Sequence, residues 1–331
     1  MWKNIFAAGV LAGATAVASV PVQAEAQTEA QTWPTQPIRL ITASAASGNA
    51  YVSAQIVAAE LEKRLGQRIV LEAMPQSSGM VATELVSNAE PDGHTLLVGT
   101  SSQLVFNIAL FPDMPVDLAQ TLRGVAMINT VPLVLVVGPE NPAQTMADYV
   151  AMLKAEPGVY QYGSGPVGTT THVTGLRWAD EVGVDVEHVP YQAGSDARRD
   201  VVAGRLSHMF DVAVTAIPQI EAGAVRPLAI TSPERSEALP EVPTVAELGY
   251  PGFEAATWNT IAAPSGTPDA IVERLNAEVA AVMETPAVRE QLLALGADLV
   301  PPRTPAEIDA FYAAQRETWI PLVREAIGAG G

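Results

Sequence analysis

The sequence predicts an α/β protein of two lobes, joined by two segments that cross from one lobe to the other. Apolar runs of strand length repeatedly give way to short loops of small polar residues, and apolar residues at helical spacing follow each loop. This strand-loop-helix arrangement is clearest at residues 40–65 and again at residues 159–182. We therefore expect lobe 1 at residues 34–128 and 259–331, and lobe 2 at residues 129–258.

The first 24 residues have the layout of a secretory signal peptide. Lys3 gives a positive start, an apolar run extends from Ile5 to about Val20, and small residues lead to a cleavage point after Ala24. The alternative is a retained membrane anchor, but the apolar run is shorter than the ~20 residues that span a bilayer. Residues 25–33 are polar and repetitive and are expected to form a spacer. The mature chain is therefore expected to be exported.

Composition excludes several kinds of site. The chain of 331 residues has no cysteine, so it has no disulfide, no thiolate metal site and no cysteine nucleophile. Its net charge is −18, from 18 Lys and Arg against 36 Asp and Glu, which disfavours nucleic acid and anionic membranes as partners. A local pocket of backbone N–H groups and hydroxyls can still hold an anion. We expect neutral donors rather than an arginine clamp.

Lobe 1 opens with a βαβ unit. Strands are predicted at residues 38–41 and 69–72, with a helix at residues 50–65 between them. The loop from Ser44 to Tyr51 then sits over the start of that helix, with Asn49 available as its N-cap. Unpaired backbone N–H groups and the positive end of the helix dipole favour an anion above this loop.

Two more strand ends in lobe 1 carry small polar residues. Residues 75–79 form a loop that opens another helix and contains Ser77. A continuous apolar run at residues 95–99 is typical of a strand buried on both faces, and it ends at Ser101 and Ser102. Ligands of open α/β sheets bind outside the carboxyl ends of the strands. We therefore expect these loops to share one site.

Lobe 2 begins at a first crossing, residues 129–132, between apolar strands at residues 125–128 and 133–137. Its other predicted elements are a helix at 145–155, the Gly-Thr loop at 163–172, a helix at 172–182, a strand at 187–191, a helix near 196–203, and strands at 207–211 and 225–230. Arg198 and Arg199 are expected on a solvated helix face.

The chain returns to lobe 1 near residues 257–263. Helical patterns at residues 269–284 and 286–295 then pack back on lobe 1, and a final helix at residues 305–327 closes the chain. Two crossings make a hinge, and a hinge permits closure on a ligand.

Two enzymatic interpretations are weaker than a binding function. Residues 163–168 match G-x-G-x-x-G, and Glu187 follows at about the 20-residue distance of a dinucleotide site. Pro166 and the threonines after it fit a hydroxyl-rich anion loop at least as well, and an exported protein seldom meets free NAD. An exported hydrolase using Ser164 or Ser47 with His172 is the alternative from another class, but no G-x-S-x-G elbow surrounds Ser164.

The candidate ligand-binding residues come from these loops and from the aromatic and acidic residues expected beside them: Ser44, Ser47, Gly48, Asn49, Tyr51, Ser77, Ser101, Ser102, Gly165, Thr169, Thr170, Thr171, His172, Asp211 and Trp258. Core packing remains the alternative for Tyr51 and Trp258, and helix capping for Asp211. No histidine-carboxylate motif predicts a metal, and no catalytic residue or cofactor is expected.

Ordered motifs over most of the chain resemble one family, the Bug-type periplasmic receptors of the tripartite tricarboxylate transporters. The matching stretches are Trp33-Pro34 with Pro37 to Ile41, Ala89 to Leu97, His188 to Tyr191, Thr231-Ser232 through Arg235-Ser236, Leu239-Pro240, Val242 to Thr244, Glu247, Gly249, Pro251-Gly252, and Ala263 to Pro268.

This resemblance implies a two-lobed Venus-flytrap receptor in the periplasm that performs no chemistry. It would capture a small organic carboxylate, act as a monomer and deliver its ligand to the membrane subunits of the transporter. Members of the family hold one carboxylate between two loops, which correspond here to Ser44–Tyr51 and Gly163–His172. A receptor that signals to a sensor kinase would share the same fold and remains an alternative.

One departure from the family pattern bears on the ligand. The family's first loop usually ends in an aspartate that suits an ammonium group, and Tyr51 stands there in this chain; Ser44 replaces a phenylalanine. The loss of the aspartate argues against amino-acid ligands. The hypothesis is a dicarboxylate, or an aromatic or hydroxylated acid.

Overall fold

The structure is a computed structural model, and it describes residues 33–44, 46 and 48–328. The predicted signal peptide, the spacer up to residue 32, and Ser47 lie outside these residues. Within the described part of the chain, no helix combines the length and the apolarity that crossing a bilayer requires.

The first half of the sheet is built as the sequence predicts. Its parallel strands β1 (Ile38–Thr42) and β2 (Ile69–Ala73) flank helix α1 (Asn49–Leu65), and Ile38 pairs with Ile69 at their start. Helix α1 ends at Gly66, whose φ of 65° is the left-handed conformation that glycine adopts without strain. The elements are, in order, β1 (Ile38–Thr42), α1 (Asn49–Leu65), β2 (Ile69–Ala73), a 3₁₀ turn (Gln76–Gly79), α2 (Met80–Ser87), β3 (Thr95–Thr100), a π-helical turn (Ser102–Phe106), α3 (Asn107–Leu110) and α4 (Leu118–Thr121).

One long strand, β4 (Leu122–Val137), replaces the two strands and the break that we expected around residues 129–132. That expectation is wrong because Pro132 does not end the strand. Pro132 is the last residue that pairs with β9 (Ala256–Pro264), and pairing with β7 (His208–Val212) begins at the next residue, Leu133. A proline without an N–H is tolerated where a strand changes its partner.

The second half of the sheet forms around the C-terminal part of β4. The remaining elements are, in order, α5 (Met146–Ala155), β5 (Gln161–Ser164), α6 (Thr170–Val182), β6 (Glu187–Pro190), α7 (Gly194–Val202), β7, α8 (Ala213–Glu221), β8 (Arg226–Ile230), β9, α9 (Asp269–Met283), α10 (Pro286–Ala294) and α11 (Pro305–Gly328). We did not predict α8. Pro218 lies inside it, and a proline weakens the sequence signal of a helix.

The strands form one path through both halves, in the order β2-β1-β3-β9-β4-β7-β5-β6, with β8 beside β4. Strands β4 and β9 pair with each other across the junction of the halves, so the chain crosses there twice, as predicted. The fold is therefore α/β with two crossover strands. The lobe boundaries at residues 128/129 and 258/259 remain a prediction.

The apolar core lies on both faces of this path. Along β4, Leu133 and Leu135 belong to one buried cluster, while Val134 and Val136 belong to another. Alternate residues of a strand point to opposite faces, so a strand covered on both sides needs a continuous apolar run. Each fully buried residue of this kind contributes about 1.5–3 kcal/mol. The core thereby holds the carboxyl ends of the strands in fixed positions.

Candidate functional site

A cavity of about 730 Å³ lies between the two halves of the fold. The predicted residues that line it are Gly48, Asn49, Ser102, Gly165, Thr169, Thr170, Thr171 and Asp211. Residues that the sequence did not single out also line it: Val52, Ala193, Gly194, Ser195, Arg198, Val212, Val214, Thr215, Thr257 and Leu295. The cavity has the size of ordinary small-molecule sites, which run from about 300 to 1,000 Å³.

The start of α1 contributes backbone donors from the first half. Gly48 is its N-cap, and no side chain caps the helix. Our expectation that Asn49 is the N-cap is wrong, because its Oδ1 accepts a hydrogen bond from the Ser53 hydroxyl at 2.9 Å. The first N–H groups of a helix have no partner within the helix. At α1 they lie beside the cavity.

The start of α6 faces the same cavity from the second half. Thr169 is its N-cap, but the Thr169 hydroxyl donates to the Pro166 carbonyl oxygen at 2.7 Å and does not cap the helix. The Thr171 hydroxyl accepts from the Gly165 N–H at 3.2 Å. Both hydrogen bonds are made within the loop. They leave the first N–H groups of α6 without a side-chain cap.

Gly168 shapes the turn of this loop. Its φ is 79°, and a Cβ built on it would lie 2.4 Å from Cδ2 of Leu110. A side chain there would be strained by the backbone and would collide with α3. The glycine therefore lets the loop approach the first half of the fold.

Two further helices begin at the cavity, and the sequence did not predict their contribution to it. Helix α7 starts at Gly194 and α8 starts at Ala213, and neither has a side-chain cap. Four helices, α1, α6, α7 and α8, therefore begin beside one cavity without a side-chain cap.

One ion pair stands among these neutral groups. Arg198 donates to both carboxylate oxygens of Asp211, and the Thr215 hydroxyl donates to Asp211 Oδ1 at 2.7 Å. The expectation of a solvated face is wrong for Arg198, whose side chain is 15% exposed, and right for Arg199, whose side chain is 75% exposed. A helix turns by about 100° per residue, so adjacent arginines point in different directions. The pair adds no net charge to the cavity.

The side-chain amide of Asn49 is the unsatisfied donor of the site. Its Nδ2 is buried and has no hydrogen-bond partner among the described residues. A buried donor left without an acceptor costs about 1–3 kcal/mol. An acceptor atom in the cavity would remove this cost.

His172 supports the loop rather than lining the cavity. It is buried, and its Nδ1 accepts from the Gly168 N–H at 3.0 Å. Its ring stacks on His188 with 3.8 Å between the ring centroids. Burial lowers the pKa of His172 to about 4, and burial together with the charge of His172 lowers the pKa of His188 to about 4. Both rings are therefore neutral at pH 7, which keeps Nδ1 of His172 available as an acceptor.

The serine of the hydrolase alternative has a different partner from the one expected. Ser164 Oγ lies 2.7 Å from Nε2 of His188, and it donates to the Gly165 carbonyl oxygen at 2.7 Å. The pairing of Ser164 with His172 is therefore wrong. Ser164 is fully buried, so its hydroxyl does not face the cavity as a nucleophile would.

The other predicted residues lie around the cavity or away from it. The Ser101 hydroxyl is buried 3.4 Å from the hydroxyls of Thr170 and Thr257, so it connects the two halves. Ser44 donates its N–H to the Thr42 hydroxyl, and Ser77 is exposed.

Tyr51 and Trp258, the two predicted aromatics, do not line the 730 Å³ cavity. Tyr51 is half-buried on α1. Trp258 points to the opposite face of β9 from Thr257, because successive strand residues alternate in direction. There it stacks on Tyr312, with 5.4 Å between ring centroids, and lines a second cavity of about 940 Å³.

Metal binding has no support in the described residues, where no group of three or more His, Asp or Glu side chains is placed to hold an ion.

Comparison with known proteins adds a family context. A family model described as tripartite tricarboxylate transporter family receptor matches residues 53–327. Protein BugT of Bordetella pertussis is 32% identical over 313 residues, which are 94% of this chain and 94% of BugT. A UPF0065 protein from the tcbD-tcbE intergenic region of Pseudomonas sp. strain P51 is 33% identical over 323 residues, 97% of this chain and 95% of that protein.

Solved structures agree with this context. The R. palustris protein Rpa4515 with adipate has a TM-score of 0.77 and 31% identity, covering 89% of this chain and 98% of that one. MatC of Rhodopseudomonas palustris with bound malate has a TM-score of 0.73 and 29% identity, covering 88% of this chain and 100% of that one. The periplasmic binding protein BugD has a TM-score of 0.73, with 25% identity over 89% of this chain and 98% of its own. The two-lobed fold expected from the sequence is thereby confirmed.

Proposed function

Because this chain belongs to the tripartite tricarboxylate transporter receptor family, whose members are periplasmic solute-binding proteins, we propose that it captures a small organic carboxylate in the 730 Å³ cavity. The ligand is a dicarboxylate or an aromatic acid. The mature chain, exported through its N-terminal signal, delivers this ligand to the membrane subunits of a tripartite tricarboxylate transporter.

One observation carries the proposal: four helix N-termini without side-chain caps meet at the cavity, beside the unpartnered amide of Asn49. An anion at a helix N-terminus gains about 0.3–1 kcal/mol per helix, or about 1–4 kcal/mol for four. Hydrogen bonds from neutral donors to a carboxylate are charge-assisted and short. The cavity therefore favours a carboxylate although the whole chain is acidic.

Arg198 favours a ligand that carries a second carboxylate. Two of its five N–H donors, on Nε and Nη2, are used by Asp211. A guanidinium that is already held by one carboxylate loses little side-chain entropy when it binds another. Adipate and malate, which accompany two of the similar structures, are both dicarboxylates.

Apolar side chains in the cavity suit the carbon skeleton between or beside the carboxylates. Val52, Val212, Val214 and Leu295 all line it. An aliphatic chain or an aromatic ring would bury its surface there at about 25 cal/mol per Å². An α-ammonium group has less support, because Asp211 is already neutralised by Arg198.

Calorimetric titration of the full chain with malate, adipate, benzoate, aspartate and glutamate tests the proposal. We expect a saturable signal with at least one dicarboxylate or aromatic acid and none with the amino acids. Tight binding of an amino acid would overturn the ligand class, and turnover of ester substrates would overturn the receptor function. Deletion of the gene should abolish uptake of the bound acid; intact uptake with a lost transcriptional response would indicate a sensor.

A further inference from the structure

Four polar side chains form one hydrogen-bond chain from the crossover strands to the cavity. Asn259 Nδ2 donates to Asn129 Oδ1 at 2.6 Å, Asn129 Nδ2 donates to Ser53 Oγ at 3.0 Å, and Ser53 Oγ donates to Asn49 Oδ1 at 2.9 Å. We call Asn259, Asn129, Ser53 and Asn49 the asparagine chain. It joins β9, β4 and α1.

The position of each member follows from its element. Asn129 and Asn259 are directly opposite each other in the antiparallel pair of β4 and β9, so their side chains share one face. Ser53 and Asn49 are four residues apart on α1, so they are neighbours on one side of that helix. Helix α1 packs on this face of the sheet.

The side chains around the asparagine chain are apolar, so the presence of polar residues there requires an explanation. Asn129, Asn259 and Ser53 are all at most 1% exposed. Ala54 and Val57 of α1 and Ile261 of β9 belong to the hydrophobic cluster beside them. Burying polar groups in such a layer is unfavourable unless each is hydrogen-bonded, and apolar residues would pack there without that requirement.

The direction of donation is fixed by the hydroxyl in the middle. Ser53 Oγ accepts from Asn129, and its single proton then goes to Asn49 Oδ1. This assigns oxygen and nitrogen in the Asn49 amide, because the network decides such orientations. The Nδ2 of Asn49 is left at the end of the chain, buried and without an acceptor among the described residues, in a residue that lines the cavity.

We propose that Asn259, Asn129 and Ser53 are positioning residues for ligand capture, which hold the Asn49 amide so that it donates to a carboxylate oxygen of the ligand. The inference rests on the function proposed above. Since β4 and β9 are the strands that cross between the halves, a bound carboxylate is joined to the crossover through an unbroken series of hydrogen bonds. Such series strengthen each member by polarisation.

The test breaks the asparagine chain in its middle. Ser53→Ala removes both the acceptor for Asn129 and the donor to Asn49. The matched control is Thr260→Val, an equally buried hydroxyl on β9 that faces the other side, where it donates to the Ala126 carbonyl oxygen at 2.9 Å. Malate and adipate are titrated calorimetrically into the full-length wild-type chain and both variants.

A spectroscopic measurement separates positioning from simple loss of stability. Side-chain amide signals of Asn49 are followed by nitrogen-15 NMR, with Asn276 as the internal reference because its Nδ2 donates to the carbonyl oxygens of Val125 and Arg303. In the wild-type chain the Asn49 signal should move when the acid binds. In Ser53→Ala it should already differ without ligand, while the Asn276 signal stays in place.

We expect Ser53→Ala to weaken binding by about tenfold or more, the equivalent of one hydrogen bond to a charged group, and Thr260→Val to change affinity by less than about twofold. Wild-type affinity in Ser53→Ala, or an equal loss in Thr260→Val, would overturn the positioning role and leave the proposed function standing. If the wild-type chain binds neither acid, the dicarboxylate function fails and the inference fails with it. Should Ser53→Ala not fold, Ser53→Cys keeps the volume with a weaker donor and is expected to weaken binding as well.

Discussion

Substituting Asn49 by aspartate tests the site at a buried donor that has no partner among the described residues. Asn49→Asp keeps the size and shape of the side chain, and it keeps an oxygen that can accept from Ser53. It replaces the free amide with a second oxygen and adds a negative charge. Asn49 is the first residue of α1, where a negative charge stabilises a helix by about 0.3–1 kcal/mol. This gain opposes the cost of placing a charge at a buried position, so we expect the variant to fold with a stability close to that of the wild type.

The expected loss of affinity is large because two effects add. Losing a hydrogen bond to a charged group costs about 1.5–3 kcal/mol. Two negative charges about 4 Å apart repel by about 4 kcal/mol at an effective dielectric constant of about 20. The sum of about 5–7 kcal/mol corresponds to a loss of about four to five orders of magnitude in affinity. Affinity should thus fall by far more than stability changes.

Calorimetric titration with malate and adipate at pH 7, together with thermal unfolding, measures both quantities. The matched control is Asn88→Asp, which adds the same charge at an exposed residue just after α2 and should change affinity by less than about twofold. If Asn49→Asp binds the acid within tenfold of the wild type, the carboxylate does not contact the Asn49 amide, and the reasoning from the unpartnered donor fails.

Three further predictions follow from the cavity and its supporting loop. The double variant Arg198→Met with Asp211→Asn removes the ion pair without leaving one charge buried. Calorimetry should then show binding of malate and adipate at least about tenfold weaker, with binding of benzoate unchanged. An equal loss of affinity for all three acids would contradict a role of Arg198 in binding a second carboxylate. Gly168→Ala places a side chain at a positive φ, so it should lower the free energy of unfolding in urea by about 1–3 kcal/mol and weaken ligand binding. An unchanged urea midpoint would show that the loop relaxes around the new side chain. The pKa of His172 and of His188 is lowered from 6.5 to about 4 on folding, so their contribution to stability is complete above pH 6.5 and is lost as the pH falls toward 4. The midpoint of unfolding should decrease as the pH is lowered from 6.5 to 5. It should decrease less in a double variant in which both histidines are replaced by glutamine.

Local sequence pattern was sufficient for most of the helices and strands. The loop above α1 and the loop above α6 were predicted from spacing alone, because an apolar stripe at 3.6-residue spacing and a run of small polar residues are properties of near neighbours. The three C-terminal helices were also predicted with nearly correct bounds. The ligand-binding role of the loop residues remains a prediction.

The predictions from sequence were wrong where contacts with residues distant in the chain determine the local structure. A crossing at residues 129–132 was predicted to separate two strands, yet β4 continues because its partner changes at Pro132. Arg198 was expected in solvent, yet Asp211 of the neighbouring strand draws it into the cavity. The hydrolase alternative required Ser164 or Ser47 beside His172, yet β5 and β6 pair in a register that brings His188 to Ser164.

The sequence by itself determined that this is an α/β chain with polar loops over helix N-termini, an acidic surface and no cysteine chemistry. Those properties depend on composition and on contacts within a few residues. The tertiary structure alone decided which helix N-termini meet at one cavity and which side chains complete it. Asn129 and Asn259 are 130 residues apart, and Ser53 and Asn129 are 76 apart. Only the order and register of the strands bring such residues into hydrogen-bond distance, and no local pattern encodes that order.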